Sequence, residues 1–416
     1  MKSIIHLTIL VALTINTATI GTAVTFAQEP KPQTEFGFNL YRTIVKNQPG
    51  ENLAVSPYGV QLLLDLARHG ADGETKAEIE RVLGYTQSVK WEILADGTLT
   101  TAAALWTQQG YPILPTFLQT ARENFGSAIE QADFLGKPNE AIRRINAWCS
   151  ENTNGRIPTL FSELDPQTRL VLANAVHFAA DWQVPFMAHL TRDGDFTLLD
   201  GTKTPTKLMA KFETLHYGET DDTLALGLLY KAEGYAMLFL LPKEPADFTQ
   251  SKFAQWESAM TAEKLSTIRR SMARVLVDAR LPKFTMETNI PLNETLKQLG
   301  MPTAFDVRKA DFSKISAITA IDPLFISEVL QKTYVRVDEL GTEAAAVTVA
   351  AMPGLAMIGE PPRPKLFHAD RPFLYAIVKG DTILFLGRFV KPGAEVVVPP
   401  SGRAMPPVMG PTGRAY

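Results

Sequence analysis

Residues 169–180 alternate two faces that are both largely apolar, with Leu170, Leu172, Asn174, Val176 and Phe178 on one and Val171, Ala173, Ala175 and His177 on the other. A strand of this pattern must be covered on both sides, so the fold has to stack layers above and below a central sheet. The covering material is legible nearby. Phe36, Leu40, Tyr41, Ile44 and Val45 recur at three- and four-residue steps, which predicts an amphipathic helix. Ser56 and Pro57 read as the N-cap and first position of a second helix, apolar nearly all round from Val60 to Arg68 and therefore buried on most sides. Further helices are expected over 72–84, 114–125, 138–152 and 291–299, and strands over 52–55, 101–107, 281–285, 324–337 and 373–378. Asp200-Gly201, Tyr217-Gly218 and Glu233-Gly234 predict hairpin turns in an antiparallel meander over 196–241. Helices and strands mix without an internal repeat, which is an α+β pattern.

The ends of the chain differ from its middle. Residues 1–27 hold Lys2, an apolar run from Ile4 to Leu13, and small residues at Thr25 and Ala27, so they read as a secretory signal cleaved near Ala27 and Gln28. A membrane anchor is the alternative, but Thr14, Asn16, Thr17 and Thr19 interrupt the run short of the about 20 apolar residues a span needs. Residues 393–416 carry Pro399, Pro400, Pro406, Pro407 and Pro411 with little to bury, which predicts a disordered tail. A single domain is expected over 28–392. Cys149 is the only cysteine, so an exported chain would have no internal disulfide and must be held by its core. With Ile142, Ile145 and Trp148 before it at helical spacing, Cys149 reads as core filler rather than a nucleophile.

Charge and motifs exclude several function classes. Lys and Arg number 41 against 44 Asp and Glu, leaving no strongly signed field for nucleic acid or an anionic membrane. The usual nucleophile-elbow, zinc-protease, phosphate-loop and dinucleotide motifs are missing, the six histidines are scattered singly, and no metal or cofactor set is present in the sequence. Asp338 and Glu339 are adjacent, and in a strand they would point to opposite faces rather than form an acid/base pair. An enzyme is not expected.

The run VRVDELGTEAAAVTVAA over 335–351 asks for an explanation of its own. From Thr342 to Ala351 no residue is larger than Val or Glu, and downstream four prolines and two glycines within 352–364 make an exposed loop. Glu-Ala-Ala-Ala favours a short helix or surface loop on composition. As a strand the same segment would put Thr342, Ala344, Ala346, Thr348 and Ala350 on one small face, able to slip between two existing strands without overpacking the core.

At this point the sequence resembles the serpin family, over about 34–392. The stretch ELGTEAAAVT at 339–348 is similar to the family's hinge, and Phe325 to Val329 to the strand leading into it. Asn52 with Ser56-Pro57 matches the start of its second helix, and NAVHFAADWQVPF at 174–186 its central strand with Trp182 at the opening end. Leu281-Pro282-Lys283-Phe284, Leu299-Gly300-Met301, Ala304-Phe305, Ala310 to Ser313 and FHADRPF at 367–373 follow in family order.

The resemblance implies a serpin fold of three β-sheets and eight to nine helices with an exposed reactive-centre loop. It implies a serine-protease inhibitor that acts as a suicide substrate, caught as an acyl-enzyme while the cleaved loop inserts into a vacancy in the central sheet. Glu339, Gly341, Thr342, Glu343, Ala344, Ala345, Ala346 and Thr348 would form the hinge, and Ser56, Asn174 and Trp182 would control sheet opening. Family spacing puts the reactive bond between Leu355 and Ala356, or later, after Met357, because the interval from Gly341 to Phe373 is lengthened. Leu355 would suit chymotrypsin-, elastase- or subtilisin-like proteases; Arg363 precedes a proline and makes a poor trypsin bait. Leu340, Gly59 and Gln331 depart from the residues common in the family, and 85–100 is short for the helix that often binds heparin, so no heparin activation is expected. A secreted monomer without cofactors follows. A non-inhibitory carrier, chaperone or structural serpin is the rival, although such members carry bulkier hinges.

Overall fold

The computed structural model describes residues 32–87, 89, 91, 97–243, 249–317, 322–342 and 363–393. Among these, eight α-helices pack around two mixed β-sheets. One sheet runs β3 (Ala128–Ala132), β2 (Leu99–Gln108), β4 (Leu170–Phe178), β12 (Ile326–Val337), β13 (Gly341–Thr342), β5 (Ala180–Asp181), with β11 (Phe284–Pro291) also paired to β12. β4 is buried along its whole length, as its two apolar faces require. Leu170, Leu172, Val176 and Phe178 join the main core. Val171, Ala173 and Ala175 face a second core under helix α5 (Pro138–Asn152), whose Ala141, Ile145 and Cys149 pack there. Burial pushes the Cys149 thiol up to about 12, so the thiolate is not populated at neutral pH.

Helix α2 (Pro57–Gly70) is buried at every position but His69. Its neighbours α1 (Pro32–Asn47) and α3 (Gly73–Leu83) follow the predicted spans, and α3 closes on Gly84 at φ 78°, a left-handed cap that suits glycine. α8 (Asn293–Leu299) packs on α1. The short α4 (Pro115–Thr120) continues into one π-helical turn to Phe125, and α6 (Gln250–Ser258) and α7 (Ala262–Ser271) follow the meander. No helix among the described residues is long and apolar enough to cross a membrane.

The other sheet runs β1 (Leu53–Val55), β16 (Thr382–Phe389), β15 (Phe373–Lys379), β9 (Tyr235–Pro242), β8 (Thr223–Leu229), β7 (Lys203–Glu219), β10 (Ala273–Pro282), β14 (Lys365–His368), with β6 (Arg192–Thr197) on β7. The 17-residue β7 pairs with β6 at its start and with β8 at its end. Two of the three expected sheets are therefore continuous through one strand.

Four local readings need correction. Residues 281–285 are not one strand: β10 ends at Pro282 and β11 begins at Phe284, the chain changing sheets at Lys283. Pro291 ends β11 rather than opening a helix, on the edge where a missing N–H does no harm. Tyr217-Gly218 lies inside β7, not at a turn. Gly218 is small because a Cβ there would sit 2.6 Å from Ser271 Oγ, so α7 needs the close approach. β12 stops at Val337, so Asp338 and Glu339 lie in a bend rather than on opposite faces of a strand.

Candidate functional site

The central question is how β4 and β12 meet. They are paired in parallel over eight positions, from Ile326 opposite Leu170 to Tyr334 opposite His177. The vacancy expected in this sheet is therefore closed along those positions. Beyond Tyr334 the strands separate, and β13 sits in the fork. Thr342 pairs with Val337 of β12 on one side and with Ala180 of β5 on the other, and Gly341 pairs with Asp181.

The fork is built by a short list of contacts. The Trp182 indole N–H donates to Asp338 O at 2.9 Å, and the Trp182 main-chain N–H to Leu340 O at 2.8 Å. Phe186 N–H donates to Glu339 O at 2.7 Å. The 182–186 segment thus holds three successive carbonyls of the bend. Asp338 folds that bend from inside, its carboxylate accepting from Leu340 N at 2.9 Å and Gly341 N at 3.3 Å. Burial raises the Glu339 carboxyl pKa, but Lys283 at 2.9 Å and the Thr191 hydroxyl at 2.8 Å outweigh it and hold the group below its ordinary range. Both acids therefore act as structural anchors.

Gly341 is required where it stands. A Cβ on it would lie 2.2 Å from Ala180 O, a backbone atom that cannot step aside. Thr342 is fully buried, and its hydroxyl is 2.7 Å from Tyr230 OH. The Tyr230 ring in turn stacks on Trp182 at 4.5 Å between centroids. Trp182, Tyr230 and Thr342 form one packed column at the entry point of the strand.

Ser56 and Asn174 sit deeper in the ladder, joined by Gln331. The Gln331 Oε1 accepts from Ser56 N at 2.7 Å; its Nε2 donates to Ser56 O at 2.9 Å and to Asn174 Oδ1 at 2.6 Å. Asn174 Nδ2 donates to Ala102 O at 3.1 Å on β2. All three side chains are fully buried. One amide thus ties β12 both to the start of α2 and to β4. Gly59 completes the arrangement, because a Cβ there would meet Asn174 Oδ1 at 2.2 Å. The two departures noted in the sequence, Gly59 and Gln331, are therefore parts of one packing solution.

Ser56, Asn174, Trp182, Glu339, Gly341 and Thr342 are placed as described. Glu343, Ala344, Ala345, Ala346, Thr348, Leu355 and Ala356 lie outside the described residues, as do 1–31 and 394–416. Sequence reading missed Tyr230, Asp338 and the bonding of Gln331. Asp338, three residues before Gly341, carried a turn signal; nothing in the sequence marks Tyr230, whose role depends on stacking across strands.

Together these features define an α+β protein in which a two-residue strand, continuous with 343–362, is seated in the fork between two neighbouring strands. The family model for Serpin (serine protease inhibitor) matches residues 31–392. An uncharacterized serpin-like protein of Thermococcus kodakarensis is 36% identical over 373 residues, covering 86% of this chain and 84% of that one. The leukocyte elastase inhibitor of Bos taurus is 33% identical over 378 residues, covering 86% and 98%. Among solved structures, native protease nexin-1 with heparin superposes with a TM-score of 0.76 at 28% identity, covering 87% of this chain and 98% of that one. The native thermophilic serpin tengpin gives 0.74 at 29%, covering 88% and 96%. The chain belongs to the serpin family, has the serpin fold, and is a member of a family of protease inhibitors rather than of enzymes.

Proposed function

We propose that this protein is an exported, monomeric inhibitor of chymotrypsin-, elastase- or subtilisin-like serine proteases that works as a suicide substrate. The protease attacks the bond after Leu355, or after Met357 in the lengthened loop, and forms an acyl-enzyme with the residue before the cut. The freed segment, starting from Gly341 and Thr342 and continuing through Glu343, Ala344, Ala345, Ala346 and Thr348, then enters between β4 and β12 and carries the protease with it.

The observation that carries this reading is the pairing of β13 on both edges, to Val337 and to Ala180. The strand to be inserted has already begun, and the residues that follow it are small. An inserted strand of about 14 residues spans roughly 45 Å and brings a net gain on the order of ten backbone hydrogen bonds, each about 0.5–1.5 kcal/mol. That sum is comparable to the about 5–15 kcal/mol that holds a typical domain together, so insertion has enough free energy to distort a tethered protease. Export is supported by the signal-like residues 1–27, and the short 85–100 interval argues against a heparin-dependent mode.

The test is incubation of the full chain with chymotrypsin, elastase and subtilisin, followed by denaturing electrophoresis and mass spectrometry of the released fragment. A covalent complex that survives denaturant, with a fragment beginning at Ala356, is expected. Loop cleavage by every enzyme without any complex would establish a substrate, not an inhibitor.

A further inference from the structure

Beside Trp182 lies a pocket of 320 Å³ that the inhibitory reading does not use. It sits where β7 changes partners. The β6 ladder ends at Leu208 and the β8 ladder starts at His216, so 209–215 have no strand on that edge among the described residues. The 182–184 segment and Leu228 of β8 form the opposite wall.

The lining is cationic and apolar at once. Lys211 and Arg274 bring positive charge to it, against Glu213 as the one carboxylate, and the His216 ring lines the same space. The Lys211 side chain is 7% exposed, and its ammonium lies 4.4 Å from the Phe186 ring and 3.9 Å from Glu213. Of its three donors one is engaged on Val184 O, and the Glu213 oxygen is too distant for a hydrogen bond. Burial holds this ammonium down to about 8. His216 stands directly opposite Arg274 in the β7–β10 register. Burial first, and the Arg274 charge second, keep its imidazole below the ordinary range. A buried ammonium with donors to place, in a lining it shares with the Arg274 guanidinium, is a setting that an anion relieves. Trp182, Leu215 and Leu228 supply apolar walls, and the volume lies at the small end of ligand pockets.

We propose that this pocket binds a small organic carboxylate with an apolar body, its carboxylate against Lys211 and its body between Trp182 and Leu228. Such an occupant braces the 182–186 backbone, which donates to the carbonyls of Asp338, Glu339 and Leu340, and so holds the fork around β13 in its present form. The binding does not depend on the inhibitory reading.

Isothermal titration of the intact protein with 1-naphthoate tests it, with 1-naphthamide as the uncharged counterpart. One-to-one binding of naphthoate is expected, weakened at least tenfold for the amide and for Lys211→Met. Arg274→Gln, at an exposed position, is expected to lose severalfold in affinity and serves if Lys211→Met does not fold. Naphthoate is also expected to slow amide exchange at Trp182 and Phe186. Absence of binding, equal binding of the amide, or affinity unchanged in the folded variants overturns the site; binding without slower exchange at those amides overturns its link to the fork.

Discussion

Gln331→Leu tests the amide lock, because leucine keeps most of the volume and removes only the hydrogen bonds. Ser56 N–H loses its acceptor and Asn174 Oδ1 loses its donor, whereas Ser56 O retains Val60 N–H at 3.2 Å. Two fully buried polar groups are left unsatisfied, at about 1–3 kcal/mol each, so the intact protein should lose about 2–6 kcal/mol. For a domain of this length, an unfolding entropy of about 2 cal/mol/K per residue turns that loss into a fall of about 3–8 °C in Tm. Scanning calorimetry at a fixed rate reads it. The same substitution in loop-cleaved protein should cost about half as much, since insertion parts β4 from β12 and removes the Asn174 contact in both variants. A fall below about 1 °C in the intact protein, or a larger fall in the cleaved form, refutes the reasoning.

Gly59→Ala should destabilise by about 1–3 kcal/mol by driving the Asn174 amide off Gln331, and in urea titrations the double variant with Asn174→Ala should be clearly less than additive; full additivity would show that the two sites do not communicate. His177, facing Tyr334 across the last paired position, is held down to about 4 by burial first and Arg156 second. The unfolded chain takes up a proton from about pH 6.5 downward while the folded one stays neutral, so up to about 3 kcal/mol of stability is lost as pH falls from 6.5 to 4. His177→Gln should flatten that segment of the profile, and parallel profiles would be contrary evidence. Thr342→Arg places a charge in a fully buried slot against Tyr230 and should leave loop cleavage intact while abolishing the covalent complex, an outcome read on a denaturing gel; undiminished complex sinks the seated-hinge idea. Nicking after Leu355 should raise Tm by about 7–20 °C, the equivalent of one added ladder of about 5–15 kcal/mol; an unmoved Tm is incompatible with insertion.

Much of this architecture was legible because burial leaves periodic marks. The double apolar alternation of β4 required cover on both faces, and the two cores on either side of it are that cover. Ser56-Pro57 announced α2, whereas the row of small residues after Thr342 lies outside the described residues. Glycine misled where it had two uses: Gly218 looked like a turn signal but serves the approach of α7, information that lies in a neighbour 53 positions away. The candidate site was legible only in part. Gly59 and Gln331 stood out singly, yet what joins them is Asn174, and that triangle exists only when β4, β12 and α2 are stacked. Tyr230 was invisible for the same reason.

The closed β4–β12 ladder changes where the driving force for insertion arises. A vacancy would offer two free edges and no barrier; a paired sheet must first break eight parallel positions before it gains two antiparallel ladders. Under the proposed mechanism the net gain would then be one ladder, and the broken one would be the barrier that keeps the uncleaved chain from inserting spontaneously. The break is easiest at the fork, where Thr342 already separates the strands and the ladder can open from Tyr334 downward. Only Tyr334, Thr333 and Lys332 part before the opening reaches Gln331, whose three buried bonds hold β12 to β4 and to α2 together. Placed there, the amide resists an opening that starts by thermal fluctuation; under the proposed mechanism it would yield once cleavage frees the loop to replace each broken pair as it advances.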